Sequence, residues 1–255
     1  MAAHCLFTTL GRHSRLRKTF FLQPDAFLCP AKWHWVVLDA AHNKYFCIDR
    51  RQFESLGPWL HGWENPIDEA QRCATQPPDD AGTLANMLVS HGILSEHSEG
   101  AKPARATAYP LPSDGVQVNS PLRSRGSPCT HAPSFFISST KASRQLRDQP
   151  FQSIVEFVRA RKRRNADPAR PFDFERAHSL TSVFDSLRLF FPRPYQCLFD
   201  SLALINLLAR FRLYPDWVFG VIAEPFEAHC WVQAGGVVLN DTIKRVSAFT
   251  PIMHV

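Results

Sequence analysis

The residues of this chain best suited to covalent chemistry are Cys197, His229 and Asp241. Cys197 lies in the stretch RPYQCLFDSLALINLLARF, residues 193–211, just after two prolines and at the start of an apolar segment. The apolar residues of that segment recur with helical spacing, at Leu198, Leu202, Ile205 and Ala209. The positive end of a helix dipole favours a thiolate, so Cys197 is a candidate nucleophile; a buried structural cysteine is the alternative.

A thiolate nucleophile needs a base, and the base needs a group that orients it. The sequence offers His229 and Asp241 on the two arms of a predicted hairpin. A three-residue loop at 234–236 places them directly opposite each other, within reach of a carboxylate–imidazole hydrogen bond. A two-residue Gly235-Gly236 loop pairs Asp241 with Cys230 instead and separates the two side chains onto opposite faces. We favour the three-residue loop because Gly236 can supply its left-handed residue.

The elements that must position these residues divide into two modules. Residues 1–97 contain predicted strands at 33–40 and 44–49 and later helices, which indicates a small winged-helix-like domain. Residues 98–134 are rich in Pro, Ser and Ala and are predicted to be a linker. Residues 135–255 begin with helical patterns and end with antiparallel strands. The predicted fold class is therefore α+β, with the chemistry in the second module.

Composition narrows the functional classes. The chain has 255 residues, a formal net charge of +6 and seven scattered cysteines. The absence of any C-x-x-C pair argues against zinc and against a disulfide framework, so we predict no metal and a reducing cytoplasm. No apolar run is long enough for a membrane span.

Basic clusters lie at 12–18 and at 159–170. Three interpretations remain open for the second cluster: nucleic-acid binding, a solvated helix face, or docking of an acidic partner. Proteins that bind single-stranded nucleic acid stack the bases on aromatic side chains, and no aromatic residues interleave with this basic cluster. We therefore predict no nucleic-acid partner.

The ordered motifs CLFDSLAL, PFEAHCWVQ and VVLND resemble the transglutaminase-like cysteine proteases that mature lasso peptides in bacteria, often called B proteins. The resemblance implies a papain-like fold, with Cys197 as nucleophile, His229 as base and Asp241 as the residue that orients the histidine. The family usually has alanine where this chain has Cys230, and glutamate where it has Gln233. Neither change removes a member of the triad.

The N-terminal stretch VVLDAAHNKYFCI resembles the precursor recognition element of ribosomally made, modified peptides, a winged-helix-like domain that binds leader peptides. In fused members of the lasso family this element precedes the protease on one chain. The resemblance implies that the leader adds as an edge strand. The residues expected to receive it are Asn43, Lys44, Tyr45, Phe46, Cys47, Ile48 and Asp49.

The expected function is a bacterial, cytoplasmic cysteine peptidase that binds the leader of a precursor peptide and cleaves it from the core. The resemblance implies an ATP-dependent macrocyclase of the asparagine-synthetase-like type as partner. This chain has no G-x-x-x-x-G-K-S/T loop, so we predict no nucleotide or other cofactor here. Two alternatives remain: a Cys-His-Asp acyltransferase of the transglutaminase or N-acetyltransferase type, and a non-catalytic peptide-binding scaffold.

Overall fold

The computed structural model describes residues 18–64, 77–110, 112, 128–167 and 169–255. In chain order its elements before residue 111 are β1 (Phe21–Leu22), β2 (Ala26–Ala31), β3 (His34–Asp39), β4 (Lys44–Asp49), α1 (Arg50–Leu56), a 3₁₀ turn (Gly57–Trp59), α2 (Asp79–Ser90) and β5 (Leu94–Ser95). The later elements are α3 (Pro128–Asp148), α4 (Phe151–Asn165), α5 (Phe174–Arg188), α6 (Cys197–Arg210), β6 (Asp216–Ile222), β7 (Glu227–Ala234), β8 (Val237–Val238), α7 (Ile243–Val246) and β9 (Thr250–His254).

The described residues form two units by their contacts. The first contains residues 18–23, 52–64 and 77–104. In it β1 pairs antiparallel with β5, and α2 buries Leu84 and Leu88. The helix is followed by Gly92, whose φ of 70° suits a residue without a side chain at a helix C-terminus. The winged-helix comparison for this part of the chain stays a prediction.

The second unit contains residues 24–51 together with the described residues from 105 onwards. It holds a three-stranded antiparallel sheet in the order β2-β3-β4 and a four-stranded antiparallel sheet in the order β8-β7-β6-β9. The predicted strand pair is present with its turn at 40–43, and Asp49 caps the following helix by accepting a hydrogen bond from the Arg51 amide at 2.9 Å.

Helix α6 is the central element of the second unit's core. Its sequence is apolar nearly all round, and Leu202, Leu204 and Leu207 are all fully buried. The apolar residues that the sequence predicted to face the core, at Leu198, Leu202, Ile205 and Ala209, therefore form only part of the buried surface of α6. The same core contains Val36 of β3 and Val232 of β7, so residues from both sheets exclude water together.

This division differs from the predicted one. Residues 24–51 share a core with the C-terminal elements, although the sequence placed them in a separate N-terminal module of residues 1–97. Helix α3 begins at Pro128, inside the segment 98–134 that was predicted to be a linker. The predicted division is wrong because hydrophobic contacts between segments distant in sequence determine which residues share a core. Composition along the chain does not reveal such contacts.

The basic run at 159–170 is used in part inside the fold. Arg161 of α4 donates to the side chain of Asn206 at 2.9 Å, and Lys162 forms an ion pair with Asp216 at the start of β6. These two cations therefore stabilise packing of α4 on the core and are not free for an external partner.

Across the parts of the chain that the structure describes, no helix combines the length and the apolar character that crossing a membrane requires.

Candidate active site

Cys197 is the first residue of α6, as the sequence predicted. The preceding residue, Gln196, has an extended backbone with φ −144° and ψ 123°, which ends the incoming loop and starts the helix. The Gln196 amide donates to Asp200 Oδ2 at 2.8 Å, and the Asp200 amide donates to the Gln196 carbonyl at 2.9 Å. These two reciprocal hydrogen bonds fix the N-terminus of α6. The half-buried thiol of Cys197 lies there, at the positive end of the helix dipole.

A buried arginine holds the loop that leads into this helix. Arg188, at the end of α5, is 2% exposed and forms an ion pair with Asp200. Its guanidinium also donates to three loop carbonyls, at Phe191 (3.3 Å), Arg193 (3.0 Å) and Pro194 (2.9 Å). This role was not predictable from sequence patterns, because nothing local distinguishes Arg188 from an ordinary helix-terminal arginine.

The predicted base, His229, is in contact with the predicted orienting residue, Asp241. His229 lies in β7 and is buried, and its Nε2 lies 2.5 Å from Asp241 Oδ2. The other carboxylate oxygen of Asp241 accepts a hydrogen bond from the Thr242 amide at 2.7 Å. Since Asp241 occupies Nε2, the ring nitrogen left for the thiol of Cys197 is Nδ1.

The hairpin register that we favoured is wrong. Strands β7 and β8 pair Ala234 with Val237 and Gln233 with Val238, so the loop is the two-residue Gly235-Gly236 turn. Gly235 has a φ of 55°, which such a tight turn requires of its first residue. In a regular continuation of this register Asp241 would lie opposite Cys230 and away from His229.

Asp241 nevertheless reaches His229 because the second arm stops being a strand. Strand β8 ends at Val238, and the side chain of Asn240 replaces a ladder bond by accepting from the Val232 amide at 2.7 Å. The chain then turns into α7, whose N-cap is Thr242. The Asn240-Asp241 pair, a common turn signal, was the only hint of this departure in the sequence.

The electrostatics of the three residues favour an ion pair. Hydrogen bonds with the side chains of Cys230 and His229 lower the pKa of Cys197 to about 4, against the opposite effect of burial. Burial alone would lower the pKa of His229, but hydrogen bonds with Asp241 and Cys197 and their charges raise it to about 9. Burial also opposes ionisation of Asp241, yet the hydrogen bond from His229 holds its pKa below the ordinary value. Between a pH of about 4, the pKa of Cys197, and about 9, the pKa of His229, the site contains a thiolate beside an imidazolium.

The thiol opens into a cleft of about 410 Å³. Its walls carry groups of both charges, including Glu227 at the start of β7 and Arg245 beside Asp241. Within the described part of the chain, no group of three or more His, Cys, Asp or Glu side chains is arranged to hold a metal ion. The chemistry available here is nucleophilic attack by sulfur with proton transfer by the histidine.

Of the predicted leader-binding residues, Lys44 to Asp49 form β4 and Asn43 lies in the preceding turn with a φ of 52°. Strand β4 is at the edge of its sheet. The ring of Tyr45 packs on Phe226, with ring centroids 5.5 Å apart. Burial raises the pKa of Tyr45, and so do the nearby Cys230 and Cys197. The predicted strand therefore belongs to the same unit as Cys197 and approaches it through Tyr45.

Arg188 is expected to set both stability and the position of the nucleophile. Arg188→Ala leaves Asp200 buried without its partner, so the free energy of unfolding should fall by about 3–5 kcal/mol. Arg188→Lys keeps the charge but loses the contacts to the loop carbonyls, so alkylation of Cys197 should slow in a folded protein. Urea unfolding and the rate of iodoacetamide labelling measure the two effects.

The matched control is Arg147→Ala, which breaks an exposed ion pair with Asp148 and should change neither the free energy of unfolding nor the labelling rate. Arg188 variants with wild-type unfolding and labelling would contradict this role.

The ion pair predicts a specific pH dependence. Alkylation of Cys197 should reach half of its plateau rate near the pKa of about 4, because the thiolate is the reactive form. Asp241→Asn removes the carboxylate that supports the imidazolium, so the half-maximal pH should rise. The labelled peptides are quantified by mass spectrometry. The internal control is Cys47, a largely exposed residue whose thiol is partly desolvated; this raises its pKa, so it should react only at high pH. A wild-type Cys197 that reacts like an ordinary thiol excludes the pair.

Comparison with known proteins identifies the domain that contains these residues. The sequence model of the transglutaminase-like superfamily matches residues 140–254, a range that includes Cys197, His229 and Asp241. No curated protein and no solved structure matches the chain. The superfamily has the fold of papain-like cysteine proteases and acyltransferases, which indicates a cysteine-dependent enzyme. Residues 140–254 therefore form a transglutaminase-like superfamily domain.

Proposed function

We propose that this protein is a cysteine peptidase that removes the leader from a ribosomally made precursor during lasso-peptide biosynthesis. The observation that carries the proposal is the contact between His229 and Asp241 at 2.5 Å beside a thiol at a helix mouth, within a transglutaminase-like domain. The resemblance of the motifs around these residues supports the choice of substrate. An ATP-dependent macrocyclase of the asparagine-synthetase-like type is the proposed partner, which closes the ring on the freed amine.

In the proposed reaction the Cys197 thiolate attacks the scissile carbonyl and forms a tetrahedral intermediate. The His229 imidazolium then gives its proton to the leaving amine, and a thioester with the leader remains. Neutral His229 next removes a proton from water, which hydrolyses the thioester. Asp241 holds the imidazole by Nε2 throughout and stabilises its charged form.

The developing oxyanion needs hydrogen-bond donors near the sulfur. The Gln196 amide is already bound to Asp200, so the backbone amide of Cys197 is the nearest donor in the first turn of α6. The side chain of Gln196 makes no capping bond to the helix and lines the cleft, so its amide group is a second donor.

Strand β4 is the proposed binding site for the leader. Its sheet order leaves it at an edge, and an extended peptide can add there by backbone hydrogen bonds. The contact of Tyr45 with Phe226 places one end of this strand near the cleft, so a leader bound along β4 has a short path to Cys197.

Replacement of the nucleophile tests the enzyme assignment. Cys197→Ala should reduce leader removal by at least about 10³-fold, because the proposed thioester forms on the Cys197 sulfur. Binding of the leader should remain, since β4 is unchanged. The cleavage product is analysed by mass spectrometry: addition of water indicates hydrolysis, and addition of an amine indicates the acyltransferase alternative. Cleavage by Cys197→Ala near the wild-type rate would exclude this mechanism, and loss of leader binding would move the binding site to the cleft.

Two neighbouring proline substitutions test the leader strand. Backbone amides alternate in direction along a strand, so of Phe46 and Cys47 only one donates to β3 and the other points outward. Proline at the inner position should lower the melting temperature. Proline at the outer position should leave the melting temperature unchanged and weaken leader binding by about 1–3 kcal/mol, a 5- to 150-fold rise in Kd.

The controls for this pair are Phe46→Ala and Cys47→Ala, which keep the backbone amides. Kd is measured with a labelled leader peptide, and the labelling rate of Cys197 confirms that the catalytic site is intact. A folded outer-position variant that binds leader as tightly as its alanine control would remove β4 from the proposal.

A further inference from the structure

The active site contains a second thiol that the proposed reaction does not use. Cys230 follows His229 in β7 and is 3% exposed. Neighbouring residues of a strand point to opposite faces, so His229 turns towards Asp241 while Cys230 turns towards the core that contains α6. Both cysteines line the same cleft.

Hydrogen bonds connect Cys230 to the first turn of α6. The hydroxyl of Ser201 donates to the Cys197 carbonyl at 2.6 Å and lies 3.4 Å from the sulfur of Cys230. The indole of Trp217 donates to the same hydroxyl at 2.8 Å, so Ser201 is held in place. Interactions with the side chain and the backbone of Cys230 also lower the pKa of the Cys197 thiol. Ser201 therefore joins the sulfur of Cys230 to the backbone of Cys197, and both residues line one cleft.

We propose that Cys197 and Cys230 are a peroxide-reactive thiol pair, in which Cys230 captures the oxidised nucleophile as a disulfide. The pair rests on the positions of these two thiols and holds whichever peptide or acyl group the enzyme acts on. The oxidant is a hydroperoxide, either hydrogen peroxide or an organic one.

In the first step the Cys197 thiolate attacks the distal oxygen of the hydroperoxide and the O–O bond breaks. The sulfur becomes a sulfenic acid, losing two electrons, and the peroxide is reduced to water or an alcohol with a proton from the His229 imidazolium. In the second step the sulfur of Cys230 attacks the sulfenic sulfur and a disulfide forms. Neutral His229 accepts the thiol proton and passes it to the departing hydroxide, which leaves as water.

The two thiols differ in the way that such a pair requires. Interactions with Cys230 and His229 lower the pKa of Cys197, so it is the thiolate that meets peroxide first. Burial raises the pKa of Cys230, so this thiol stays protonated and acts only when an oxidised sulfur lies beside it. The disulfide occupies the nucleophile and stops catalysis, and a dithiol reductant returns both cysteines. Capture as a disulfide also protects Cys197 from irreversible oxidation to the sulfinic acid.

The test treats the full-length protein with hydrogen peroxide and follows its mass and its reactivity. The wild type should lose two hydrogen atoms and lose iodoacetamide labelling at Cys197. Trypsin should then release peptide 189–210 linked to peptide 213–244, since the Arg193-Pro194 bond resists cleavage. Dithiothreitol should restore labelling and leader removal completely.

Cys230→Ser and Cys230→Ala are the test variants, and serine keeps the size and a hydrogen-bonding group if alanine disturbs folding. Both should form no linked peptide, gain oxygen at Cys197 as the sulfinic acid, and fail to recover with dithiothreitol. Cys47→Ala, which removes the exposed thiol of β4, is the matched control for the thiol masses alone: it should form the linked peptide and recover iodoacetamide labelling of Cys197 as the wild type does.

Three results would overturn the proposal: a wild type whose Cys197 reaches the sulfinic acid as fast as in the Cys230 variants, a linked peptide that joins Cys197 to another cysteine, or full recovery of Cys230→Ser by dithiothreitol. The linked peptide, the sulfinic acid and the iodoacetamide label are all read as masses of the protein itself, without the assay of leader removal. Failure of the thiol pair therefore leaves the peptidase assignment standing, and failure of leader cleavage leaves the thiol pair standing.

Discussion

The buried ion pair between Arg188 and Asp200 determines where the central helix begins. One carboxylate oxygen of Asp200 binds the guanidinium and the other accepts the Gln196 amide, while the remaining guanidinium groups bind the carbonyls of the incoming loop. A charge pair at this depth is costly to desolvate, and its hydrogen bonds offset that cost only in one geometry. The pair therefore specifies a single path for the loop, and the position of Cys197 at the end of that path follows from it.

The reactivity of the site follows from what surrounds the sulfur. A helix mouth, a neighbouring thiol and a histidine that is itself hydrogen-bonded to a carboxylate all favour the charged forms, and together they outweigh the burial that opposes them. Each member depends on the next: Asp241 supports the imidazolium, and the imidazolium supports the thiolate. Surroundings that favour a thiolate at Cys197 suit both the proposed attack on a peptide and the proposed reaction with peroxide, and for this reason the position of Cys230 matters.

The shared core explains how a strand from the N-terminal third of the chain comes to lie near the cleft. Val36 and Leu38 of β3 are buried with the leucines of α6, so the sheet β2-β3-β4 is fixed against α6 by the hydrophobic effect. Strand β4 keeps an edge, and Tyr45 links that strand to Phe226. Recognition and cleavage are therefore proposed to occur on one folded unit.

Patterns in the sequence predicted the local features: the helix that starts at Cys197, the strand pair before Asp49, and the order of helices and then strands in the C-terminal half. The predicted contact between His229 and Asp241 is also present, while their catalytic roles stay a prediction. The local features follow from periodicity, turn residues and motif order, which are properties of neighbouring residues. The way in which distant segments meet depends on tertiary packing. The tertiary structure corrected the hairpin register, because the loop is the two-residue turn and Asp241 reaches His229 only after Asn240 ends the strand. It also revealed the bonds from Arg188 to Asp200 and to the loop before α6, the grouping of residues 24–51 with α6 and β7, and the second thiol in the cleft of Cys197. Each of these depends on long-range packing and buried electrostatics, whose free energies no short stretch of sequence contains.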